Sequence, residues 1–130
     1  MRRYECQRCF AVMVVVPTEV APRRHYTGAA IALALALYGL SGDAHAEVRR
    51  RVCPSQIVGG SAQYRWVTLT RWIDAVAARE LFVSLPAMPE SQSRRHVAGR
   101  AAMAIGAHAP PLLQAGAPVE RAFAGAAHMA

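Results

Sequence analysis

Between Gly28 and Leu40 the chain runs thirteen residues without a charge, alternating Ala with Ile or Leu through most of its length. A period of two superficially suggests a strand. Ala and Leu are strong helix formers, however, and Ile31 is the one β-branched residue, so the run is expected to be helical. Wound as a helix, it puts Ile31, Leu35 and Tyr38 on one side and Leu33, Leu37 and Leu40 on another. A helix that is apolar nearly all round must be covered on every side, which makes it the central helix of a helical domain. It is shorter than the roughly twenty residues that cross a bilayer.

The flanking segments divide around it. Residues 1–22 read as a β-ribbon: Tyr4 and the run Phe10–Val16 lie either side of a Cys6–Cys9 turn, and Pro17 and Pro22 close it. Thr27 is placed to cap the central helix, Tyr26 to staple against Ile31, and Gly39 to end it. Ser41 or Asp43 caps a second helix reaching about Val52, with Arg49, Arg50 and Arg51 at its end and Pro54 as its stop. A third opens at Thr68 and is expected to run to about Phe82. Its apolar stripe is Leu69, Trp72, Ile73 and Val76, and Trp66 and Trp72 suit core packing better than base stacking. Beyond Pro86 and Pro89, helices are expected over 91–107, using Val97, Ala101, Ala104 and Ile105, and over 118–127 after Pro110 and Pro111. The expected fold is mainly α. A β-ribbon (1–22), half of a zinc ribbon, precedes a helix-turn-helix-like bundle (23–85) and an Ala-rich helical tail (86–130).

The formal charge is +7, and all fifteen basic side chains are arginine. A polyanion is the natural partner of such a chain, and guanidinium forks match phosphates and guanine edges. A coding bias that also favours alanine accounts for the arginine equally well. Catalysis is not expected. The eight carboxylates are scattered, and His25, His45, His96, His108 and His128 lack a Cys or Ser partner at informative spacing. Three cysteines, an odd number, argue against a disulfide framework and for the cytoplasm. A competing pattern exists in Arg23-Arg24-His25, the apolar run and Ala44-His45-Ala46, which together imitate a secretory signal ending near Ala46. The cysteine turn and valine run ahead of it weigh against that reading.

Two constellations carry chemistry. Cys6 and Cys9 have the spacing of one half of a zinc knuckle, but tetrahedral zinc needs four ligands, so a degenerate knuckle is favoured over a filled site. The helix order after Tyr26 is that of a helix-turn-helix. If Cys53-Pro54-Ser55 is the turn, the reading helix starts at Ser55 and uses Ser55 and Gln56. If residues 53–66 are an insertion, it starts at Thr68 and uses Thr68, Thr70 and Arg71, with better helix chemistry because Gly59-Gly60 weakens the first register. A thin face carrying Thr68, Arg71, Ala75 and Arg79, three or four residues apart and backed by bulky aromatics, suits a DNA groove.

Arg3-Tyr4-Glu5-Cys6-Gln7-Arg8-Cys9, the valine run with Pro17, Arg24-His25-Tyr26 and Leu69-Thr70-Arg71-Trp72 occur in this order, over residues 2–82. In this the chain resembles the zinc-ribbon plus helix-turn-helix proteins associated with bacterial transposases. The resemblance implies DNA binding in the cytoplasm and metal ligation by Cys6 and Cys9 together with an upstream cysteine pair, which makes this chain a shortened copy. It implies no strand transfer, since the carboxylate core of a transposase is absent. The expected partner is duplex DNA, contacted by Arg49, Arg50, Arg51, Arg65, Thr68, Thr70 and Arg71. The other reading is a non-enzymatic interaction module whose Ala-rich tail packs on a second copy or another chain.

Overall fold

The computed structural model describes residues 2–15, 26–53 and 65–129. Strands β1 (Arg2–Glu5) and β2 (Val12–Val15) pair antiparallel, Arg2 opposite Val15 and Glu5 opposite Val12. Helices follow as α1 (Gly28–Gly39), α2 (His45–Val52), α3 (Val67–Ala77), α4 (Arg94–Gly106) and α5 (Pro118–His128), with one 3-10 turn at Pro111–Leu113. The molecule is mainly α, as expected. No helix among the described residues is long and apolar enough to cross a membrane.

Helix α1 is the axis of the fold. Ile31, Ala32, Ala34, Leu35, Ala36 and Leu37 are all buried on it, because α4 and α5 pack along it while α2 and α3 cover other flanks. Thr27 caps it as the sequence implied, its hydroxyl accepting from the Ala30 N–H at 3.1 Å. The Ala–Leu alternation has its explanation here: leucines fill space, and alanines let neighbouring helices come close. Gly39 meets Gly99 of α4 backbone to backbone, and Gly125 of α5 meets the Ile105 carbonyl in the same manner.

The expected boundary between residues 85 and 86 therefore does not divide the core. Val97, Ala98, Ala101, Ala102, Ile105 and Ala122, from the presumed tail, share one buried cluster with Ile31, Leu35 and Trp72. The short Ala and Gly side chains that made the tail look featureless are what let it pack so closely.

Smaller departures occur at helix ends. Helix α2 starts at His45 with Ala44 at its cap, because Asp43 turns instead to Arg51, 3.0 Å away. Helix α3 stops at Ala77, well before Phe82. Arg79 adopts φ 61°, the Glu80 N–H donates to the Ala75 carbonyl at 2.8 Å, and the Arg79 N–H to Val76 at 3.1 Å. That is a Schellman closure, with Arg where glycine is usual. At the end of α4 the Gln114 amide donates to the carbonyls of Ala109 (2.7 Å) and Ala107 (3.3 Å), satisfying groups a helix terminus leaves open.

Candidate nucleic-acid interface

Helices α2 and α3 do not pack against each other as a helix-turn-helix pair. Each leans on α1, and an aromatic cluster joins them. Tyr26, Trp66 and Trp72 meet edge to face, with ring centroids 5.0 Å apart for Tyr26–Trp72 and 5.2 Å for Trp66–Trp72. Both tryptophans are buried, so they are core residues, as their spacing suggested. Tyr26 thus packs on the tryptophans, and its hydroxyl lies 3.3 Å from the Cys53 thiol at the end of α2. Burial and that contact push the phenol up to about 12.

A second junction lies at the start of α2. The Trp66 N–H donates to His45 Nδ1 at 3.2 Å, and the Tyr38 ring stands edge-on to the imidazole at 5.0 Å. Burial lowers the His45 pKa, outweighing the Trp66 backbone contact; Arg65, Arg95 and Arg94 lower it further. Arg95 stacks over Tyr38 with its guanidinium 4.1 Å from the ring centroid, and donates to the Tyr38 carbonyl at the end of α1. Arg94 grips Asp74 of α3 with two bonds, 2.9 and 3.2 Å long. Four helix ends therefore meet around His45 in a setting rich in arginine. Sequence spacing hid this junction: Tyr38 and Arg95 are 57 positions apart. The Arg94-Arg95 doublet after the Ser93 cap was its only local sign.

The residues expected to touch DNA divide into four groups, the last being Thr70 with Arg65. Arg71 is exposed on α3 and has no partner among the described residues. Arg50 and Arg51 project from α2, with side chains 76% and 52% exposed, and pair with Glu47 and Asp43. Such exposed pairs hold weakly, so a phosphate can compete for either guanidinium. Arg49 is half-buried and within electrostatic reach of Tyr26, and Thr68 is half-buried at the start of α3.

Thr70 is corrected by the structure. It is only 8% exposed, turned to the core side of α3, and its hydroxyl accepts from Arg65 Nε at 3.1 Å. The helical wheel put Thr70 beside the apolar stripe of Leu69 and Ile73, and packing took it inward. It cannot reach a base. It can hold the exposed Arg65 guanidinium in place. The other register, starting at Ser55 with Gln56, lies outside the described residues.

The cysteine turn has the shape its spacing implied. The Cys6 N–H donates to the Ala11 carbonyl, and the Phe10 N–H to the Cys6 carbonyl, each at 2.8 Å, while Phe10 takes the left-handed conformation at φ 59°. The Cys9 and Arg8 amides and the Cys9 side chain hydrogen-bond to the Cys6 sulfur and hold its pKa below the usual thiol value. Both thiols are free and exposed, and among the described residues no group of three metal-ligating side chains gathers.

Comparison with protein families, curated proteins and solved structures finds no match for this chain.

Proposed function

We propose that this protein is a duplex DNA-binding module, not an enzyme, that works in the cytoplasm and is related to transposase-associated proteins. The observation that carries the reading is a set of exposed arginines on α2 and at the start of α3: Arg50 and Arg51 on α2 in exposed ion pairs, Arg65 held by Thr70, and Arg71 one turn along α3. In this reading Arg49, Arg50, Arg51 and Arg65 engage phosphates, which fix register without reading sequence. Arg71 is the side chain of the Thr/Arg face able to reach a base edge, Thr68 flanks it, and Thr70 positions Arg65. The cytoplasmic assignment draws support from α1. Cleavage after Ala46 would cut within α2 and remove the helix on which the whole core packs.

The test is an electrophoretic shift on duplex DNA across a salt series. Binding should weaken steeply with salt, and Arg71→Glu should abolish the specific complex. A shift insensitive to salt and to Arg71→Glu overturns the proposal. The second reading, an interaction module, rests on Leu112, Leu113 and Phe123. These are 95%, 45% and 47% exposed near the C-terminal helix, where a partner chain would cover them. Absence of any retention on DNA or heparin would favour it.

A further inference from the structure

We propose that the groove where the end of α1 crosses α4 binds a small organic anion, one acidic head group on a short apolar body. The groove follows from how the two helices meet. At Gly39 and Gly99 backbone lies on backbone, so no side chain stands at the crossing. Leu40 at the end of α1 and Met103 on α4 supply apolar walls that are open to solvent. The space between them is about 620 Å³, within the range of sites for compact organic ligands. Two guanidinium groups, Arg95 and Arg100, and the His96 imidazole line it, and among the described residues no carboxylate does.

Arg95 is the fixed point of the site. It is half-buried, stacked on the Tyr38 ring, and donates through Nη1 to the carbonyls of Tyr38 and, at 3.4 Å, of Asp43. These contacts hold the guanidinium in place, yet none of them is an anion. The Asp43 carboxylate is turned to Arg51, and Asp74 is gripped by Arg94. A partly desolvated cation without a carboxylate partner favours an anion from solution. Because both bonds leave from Nη1, the Nε and Nη2 donors of Arg95 stay open to it. Arg100 and His96 share one face of α4, four residues apart, and their side chains have no partner among the described residues. Guanidinium forks take carboxylate or phosphate through paired bonds. Leu40 and Met103 then favour an anion whose apolar body covers them over a bare inorganic ion.

The probes are octanoate and octyl phosphate, titrated into the isotope-labelled full chain and followed by amide NMR. Octanol and inorganic phosphate serve as the separate halves of these ligands. Both organic anions should shift the amides of Gly39, Leu40 and residues 95–103 saturably, and each half alone should bind at least about tenfold more weakly. Arg100→Ala should weaken both anions by about tenfold or more, and Met103→Glu, which sets a carboxylate in the groove, should abolish them. Both positions are exposed, so an otherwise unchanged amide spectrum shows that the variants fold. Arg71→Glu should leave the anion affinity as it is, which keeps this result separate from the DNA reading. No saturable shift at the groove, octanol binding as tightly as octanoate, or indifference to Arg100→Ala and Met103→Glu overturns the proposal. Displacement of octanoate by duplex DNA would make the groove part of the nucleic-acid surface and overturn it too. So would sedimentation with phosphatidylglycerol vesicles in a chain that ignores the soluble anions.

Discussion

Gly39 and Gly99 approach so closely that a Cβ on the first would lie 2.1 Å from the amide nitrogen of the second, whereas a Cβ on Gly99 would stand 3.2 Å from the Gly39 carbonyl oxygen. The contact is therefore asymmetric. Gly39→Ala should drive α1 and α4 apart and cost at least about 1–3 kcal/mol, the usual range for overpacking, since backbone rather than a flexible side chain stands in the way. Gly99→Ala should cost clearly less. Urea unfolding of the two variants checks the order, and equal midpoints would show that the helices do not cross at this point.

Arg79 closes α3 at φ 61°, a conformation that costs an L-residue about 1–2 kcal/mol and glycine almost nothing. After allowing for the extra freedom of glycine in the unfolded chain, Arg79→Gly should stabilise the protein by about 0.5–1 kcal/mol. The expected sign is an upward shift of the denaturant midpoint with an unchanged slope.

The contrast between α1 and α3 shows what sequence could convey. The position of α1, its Thr27 cap and its burial all follow from composition and periodicity, because these depend on neighbours a few residues away. Whether Thr70 faces solvent does not. It sits at the margin of α3's apolar stripe, and its side was decided by the packing of that helix against the body and by the Arg65 guanidinium. The junction at His45 was invisible for the same reason, because Tyr38, Trp66 and Arg95 come from distant stretches. In the segment after residue 86, Ala and Gly gave too weak a hydrophobic signal to reveal that α4 and α5 complete the core.

His45 makes stability depend on pH with a definite sign. Its folded pKa is depressed by burial first, and Arg65, Arg95 and Arg94 add to this, so the folded state prefers the neutral ring. That contribution is fully present above the unfolded value of about 6.5 and is lost as pH falls through the folded pKa. Protonation turns Nδ1 from an acceptor for the Trp66 N–H into a donor to the Trp66 carbonyl, 3.3 Å away, which offsets part of the loss but not the cost of burying the charge. Thermal midpoints should therefore drop between pH 7 and 5, and His45→Gln should flatten that part of the profile. A flat profile in the parent protein would remove the argument.

Thr70 and Arg71 are adjacent on α3 and should behave oppositely towards DNA. Arg71 extends into solvent, so Arg71→Ala should cost about 1–3 kcal/mol if it contacts a base edge, with the loss concentrated on the preferred sequence. Thr70→Val keeps the shape of a buried side chain but removes the acceptor for Arg65 Nε, 3.1 Å away. It should loosen Arg65 and weaken binding modestly and uniformly across sequences, because only a phosphate contact is disturbed. Replacing Arg65 itself should lower the salt slope by about 0.9 for the one phosphate released, and Thr70→Val should add little once Arg65 is gone. Mobility shifts with all four variants on a preferred and a scrambled duplex decide the matter. If Thr70→Val instead erases discrimination between the duplexes while Arg71→Ala leaves it intact, the assignment of roles along α3 is wrong.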